Sequence, residues 1–95
     1  MIVRIVKMTF ATDKVNDFLK LFAEVKTKIS SFEGCRHLEL MQDINSKNIF
    51  FTYSKWVDEN ALNHYRFSEL LKDTWTKTRL LFLEKAQAWS VEVLD

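Results

Sequence analysis

The fold turns on the stretch MTFATDKVNDFLKLFAEVKTKISSFEGCRHLELMQD (Met8–Asp43), where the hydrophobic period changes twice. Val15, Phe18, Phe22, Val25 and Ile29 recur at alternating spacings of three and four, the stripe of an α-helix that buries one face. Thr12 is placed to cap its start, and Asp13 sits where the helix dipole favours negative charge. Lys26 and Lys28 fall near the other end, and Gly34 supplies the turn conformation that follows. From Cys35 the period returns to two, with Leu38 and Leu40 opposed by His37, Glu39 and Met41.

Working outward, Ile2 to Phe10 reads as a strand, with Ile2, Val6, Met8 and Phe10 on one face and Val3, Ile5, Lys7 and Thr9 on the other. INSKN is turn chemistry, and IFFTYSKW (Ile49–Trp56) is an aromatic strand that closes a hairpin with the one before it. Asp58 is the expected N-cap of a helix through Ala61, Leu62, Tyr65 and Arg66. Ser68 followed by Glu69 starts another, in which Leu71, Trp75, Thr78 and Phe82 share a face. AQAWSVEVL then places Gln87, Trp89, Val91 and Val93 on one side of a last strand. The order β-α-β-β-α-β is that of a ferredoxin-like α+β protomer, with a four-stranded antiparallel sheet and helices on one face only.

Ninety-five residues make one domain, residues 1–95, yet 47% are hydrophobic, a generous apolar supply for so little interior. Every strand carries apolar residues on both faces, so a homodimer packed sheet against sheet is expected. The net charge is +1 with signs interspersed, which argues against nucleic acid as a partner. No apolar run approaches the roughly 20 residues of a membrane span. The first ten residues are broken by Arg4 and Lys7 and lack a cleavage site, so the expected location is the cytoplasm. A single glycine and no proline leave no phosphate-cradling loop. Cys35 stands alone, so no internal disulfide forms, and two histidines without metal-ligand spacing argue against a metal site.

The helix stripe, the EGC turn (Glu33–Cys35), the aromatic third strand, and WVDENAL (Trp56–Leu62) with Ser68 in register after it resemble the antibiotic biosynthesis monooxygenase family. That resemblance covers nearly the whole chain and implies dimeric α/β barrels of ferredoxin-like protomers. Some branches of the family oxygenate polycyclic or quinol-type aromatics without metal or flavin; others degrade haem, and one isomerises a small sugar-like signal. Two family histidines are missing here, their positions taken by Tyr65 and Leu70, so the resemblance assigns a pocket-facing role to Tyr65. The iron-ligand position of the haem-degrading branch falls on Trp75, and MIVRIVKMTF lacks that branch's asparagine, which argues against haem.

The implied activity is a cofactor-independent monooxygenase acting on a small aromatic or quinol. Such chemistry needs a dry aromatic slot, a base and a donor to the developing oxyanion. The expected catalytic pair is His64 as base and Tyr65 as donor. Tyr53, Trp56, Phe67, Trp75 and Trp89 are the expected substrate-binding aromatics. Ala61, Leu62 and Tyr65 form the stripe that faces the sheet, Asn63 and Arg66 take the opposite side, and His64 sits on the shoulder, at or near the mouth of a cavity. The competing reading is a non-catalytic dimeric ligand-binding or stress-associated module of the same fold.

Overall fold

The computed structural model describes every residue from Met1 to Asp95. Strand β1 (Ile2–Phe10) leads through a single 3-10 turn (Thr12–Lys14) into helix α1 (Val15–Ser30). Strands β2 (Cys35–Gln42) and β3 (Ile49–Trp56) follow, then helices α2 (Glu59–Arg66) and α3 (Glu69–Arg79), and strand β4 (Phe82–Glu92). All pairings are antiparallel, and the strands lie in the order β2-β3-β1-β4. This is the ferredoxin-like βαββαβ arrangement, its second helical crossover broken into α2 and α3. No helix of the chain is long and apolar enough to cross a membrane.

The 3.6-residue stripe of α1 buries Phe18, Phe22, Val25 and Ile29 against the inner face of the sheet. There Phe10 stacks on Phe18 at 4.1 Å between ring centroids and meets Phe50 edge-on at 5.8 Å. Such offset and edge-to-face pairs contribute about 0.5–1.5 kcal/mol each beyond the area they bury. A smaller cluster at the other end of the sheet joins Cys35, Trp56 and Leu62, with Phe32 and Tyr65 packed on it.

Gly34 takes φ +87°, the only positive φ in the chain. Its carbonyl accepts from the Val57 amide at 2.9 Å, and a Cβ here would collide with the Ala61 side chain and press on Val57. The start of β2 can therefore lie directly on α2 only with glycine at this position.

Both α2 and α3 begin as the sequence indicates: Asp58 accepts from the Ala61 amide at 2.8 Å, and Ser68 from the Leu71 amide at 3.2 Å. Helix α1 differs. Thr12 makes no capping bond, because residues 12–14 tighten into the 3-10 turn and α1 starts only at Val15.

The end of α3 differs too. Phe82 opens β4 rather than closing a helix, turning inward to within 5.3 Å of Phe10 and 5.5 Å of Trp75. Strand β4 thus starts four residues before the Ala86 that its alternation suggests. The cause is a register shift between Lys7 and Thr9, whose β4 partners are Gln87 and Glu84. The extra residue breaks the period of two and hides the strand's first half. Val93 lies beyond the strand's end.

Candidate functional site

Between the inner sheet face and the helices lies a cavity of about 410 Å³. It exists because β4 contributes only Ala86 and Ala88 to that wall, side chains too short to reach across to the helices. Phe18, Phe22 and Trp75 supply apolar walls, and β1 adds Val6 and Met8. Exposed Phe67, Arg66 and Lys72 also line it and mark its open side. A volume of this size accommodates a small aromatic molecule.

Of the residues expected to bind or react, three meet here: Tyr65, Phe67 and Trp75. Tyr65 belongs to the sheet-facing stripe of α2. Its ring stacks on Trp56 at 4.8 Å and receives Phe32 edge-on at 5.5 Å. Burial, and to a lesser degree the neighbouring Cys35 thiol, push its phenol well above the ordinary value, while Arg4 opposes the shift. The hydroxyl therefore stays protonated, in a form that can donate a hydrogen bond and cannot act as a base.

Trp56 is fully buried and lies behind Tyr65 rather than on the cavity wall. Its indole Nε1 donates to the Ser54 hydroxyl at 3.0 Å, and that hydroxyl donates in turn to the Arg4 carbonyl at 3.4 Å. Trp56 supports the site without touching its contents. Cys35 packs against the same indole. Burial raises its thiol pKa, and the hydrogen bond to the His37 carbonyl at 3.6 Å only partly opposes this, as expected of a packing residue.

His64 is exposed and does not line the cavity. The turn of about 100° per residue that carries Tyr65 inward carries its predecessor outward, past the rim. Phe67, at the C-cap of α2 and 71% exposed, takes the place at the mouth that His64 was expected to hold. Arg66, expected on the far side, also reaches the rim, its guanidinium 5.8 Å from the Phe67 ring.

Tyr53 and Trp89 lie on the opposite face of the sheet. The pairings Glu39–Tyr53, Tyr53–Ile5 and Ile5–Trp89 form one row across it, and the strand period of two separates that row from the cavity. His37, on the same face, pairs with Glu39 at 3.3 Å.

Arg4 and Thr74 line the cavity as well, although neither was among the expected site residues. Arg4 is in register with Val6 and Met8, so alternation alone sends it inward, a charge among apolar neighbours. Thr74 is 8% exposed, and its hydroxyl is buried without any hydrogen-bond partner. No aspartate, glutamate or histidine lines the cavity.

The comparisons agree on the architecture. A solved antibiotic biosynthesis monooxygenase superposes with a TM-score of 0.93 at 16% identity, covering 100% of both chains. A conserved protein from Methanosarcina mazei Go1 gives 0.89 at 20% identity over 96% of this chain and 91% of its own. Rv0793 from Mycobacterium tuberculosis gives 0.90 at 16% identity over 99% and 95%. At such identities these structures share the fold. No curated protein matches the sequence. The family model for antibiotic biosynthesis monooxygenase matches residues 1–77, and with that match the chain belongs to the antibiotic biosynthesis monooxygenase family.

Proposed function

We propose that the protein is a cofactor-independent monooxygenase that oxidises a small phenol or quinol, working as a homodimer. The observation that carries this reading is the cavity of about 410 Å³, walled by Trp75, Phe18 and Phe22 and edged by the protonated Tyr65 phenol. The substrate ring packs against Trp75 and Phe67. Once ionised, the ring transfers one electron to dioxygen, and the resulting radical and superoxide combine at a ring carbon. Protonation gives a hydroperoxide. Loss of the proton from that carbon with cleavage of the O–O bond leaves a carbonyl and releases water, so one oxygen atom stays on the ring. Tyr65 donates a hydrogen bond to the developing oxyanion, while the apolar walls exclude water.

The homodimer has its support on the other face. Phe51 and Tyr53 are half-buried there in the single chain, and Trp89 and Val91 are each 46% exposed. An apolar sheet face of this kind is covered when two copies pack together.

A second reading, a dimeric binding module without chemistry, is favoured by one observation: no carboxylate or imidazole lines the cavity to act as base. Oxygen uptake separates the two. With phenols and naphthohydroquinones under ¹⁸O₂, the oxygenase takes up oxygen faster than autoxidation and leaves one labelled atom in the product. Uptake no faster than in buffer, across the panel, decides for the binding module.

A further inference from the structure

The lining of the cavity is charged in one sense only. Arg4, Arg66 and Lys72 are its ionisable cations, with no acidic residue among them. Lys72 has Glu69 at 3.6 Å, and Arg66 donates to the Asn63 side chain at 3.5 Å. Arg4, on the interior strand β1, is the least exposed of the three, and its one side-chain partner is the neutral Ser90 hydroxyl at 2.9 Å. Burial, with Arg66 adding to it, lowers the Arg4 pKa, yet a guanidinium remains charged across the working pH range. A partly desolvated guanidinium facing a cavity with no counter-charge can form charge-assisted hydrogen bonds to an anion placed there.

Thr74 gives an independent indication. Thr76 and Thr78, on the same helix, satisfy their hydroxyls by donating to the carbonyls of Lys72 and Thr74, at 2.8 and 2.7 Å. Thr74 does not do so. Its hydroxyl is buried, lines the cavity, and has no partner in the protein. A polar atom left so in a folded protein marks the position of a partner from outside.

We infer that the cavity takes its aromatic ligand as an anion, the negative oxygen against the Arg4 guanidinium and a polar atom of the same ligand bonded to the Thr74 hydroxyl. The inference rests on the cavity being the binding site. It also answers the missing base. A fixed cation beside a phenolic hydroxyl favours its ionised form, so the ring enters as phenolate or loses its proton to solvent on binding. Arg4 then stabilises charge on the substrate and removes no proton itself.

Binding to the chain, measured without turnover, tests this. The probes are 2-naphthoate, its neutral isostere 2-naphthamide, and 4-nitrophenol, whose absorbance reports its own ionisation. Expected is a preference of at least about tenfold for naphthoate over naphthamide, or a bound 4-nitrophenol that ionises about one pH unit or more below its value in water. The first assigns the anion to a carboxylate and the second to a ring hydroxyl. Arg4→Gln abolishes the effect and Arg4→Lys keeps part of it. Thr74→Val weakens binding several-fold without lowering Tm, which a purely structural hydroxyl would not do.

Acid and amide binding equally, with nitrophenol ionisation unshifted, overturns the inference. So does a preference unchanged in a folded Arg4→Gln, and so does failure of all three probes to bind. Oxygen uptake is scored separately. An anion preference without uptake sinks only the oxygenase reading, and uptake without anion preference sinks only this inference.

Discussion

Tyr65 stacks on Trp56 with ring centroids 4.8 Å apart and planes inclined by 22°, so a strand fixes the position of a side chain carried by a short helix. Helix α2 has only eight residues, too few to be stable by itself. The indole is held by its bond to Ser54 and by Phe32 at 6.3 Å. The phenol is presented by the end of β3 through this stack.

Tyr65→Phe keeps the stack and removes only the hydroxyl. The expected outcome is a Tm close to wild type and a kcat lower by roughly 10²-fold, the effect of losing one oxyanion donor. His64→Ala is expected to leave kcat nearly unchanged, far from the roughly 10²–10⁴-fold fall caused by losing a general base. Steady-state oxygen uptake by both variants checks the pair. A large fall in His64→Ala alone would reverse the assignment.

Trp56→Ala removes a fully buried indole and the support of Tyr65 together. It is expected to cost about 3–5 kcal/mol of stability, measured by urea denaturation. A loss below about 1 kcal/mol would mean that Tyr65 finds its place without the stack.

The buried phenol also predicts a pH dependence. Its folded-state pKa lies above the unfolded value of about 10. The folded state therefore holds the proton after the unfolded state has released it. Stability from this source is complete below about pH 10 and falls as pH rises beyond it. Melting curves from pH 8 upward should show a decline in wild type that is reduced in Tyr65→Phe.

Gly34→Ala forces a side chain into a positive-φ position and against Ala61. The backbone component alone costs about 1–2 kcal/mol, and the collision adds to it. Denaturant midpoints check this. A variant as stable as wild type would show that β2 and α2 can separate freely.

Ile5→Lys places a charge at the centre of the outer row, between Tyr53 and Trp89. Sedimentation should find a dimer for wild type and a monomer, or an unfolded chain, for the variant. A wild-type monomer at micromolar concentration would remove the dimer.

Much of this architecture was legible because periodicity is local. The stripe of α1, the hairpin of β2 and β3, and the caps Asp58 and Ser68 need only neighbouring residues to be read. The site was legible in part. Tyr65 and Trp75 fall on helix stripes, so the direction of their side chains follows from spacing. Trp56, Tyr53 and Trp89 were grouped with them by aromatic character, which carries no direction. Strand parity sends Tyr53 and Trp89 to the far face. Arg4 and Thr74 matter through the charges and bonds they lack, and a missing partner is visible only once the surrounding elements are assembled.

Strand β1 is the earliest strand of this sheet in chain order, yet it occupies an interior place in it. One edge waits for Ile49–Trp56, and the other for Phe82–Glu92, so that Ile2 is matched to Glu92 almost a whole chain away. Closure of the sheet then waits until β4 has been made, and such distant pairing is slow. Until β4 arrives, Val3, Ile5 and their neighbours offer an open, sticky edge to any other nascent chain. A polypeptide released before Phe82 would keep that edge for good, and its expected fate is aggregation or proteolysis rather than a smaller working protein.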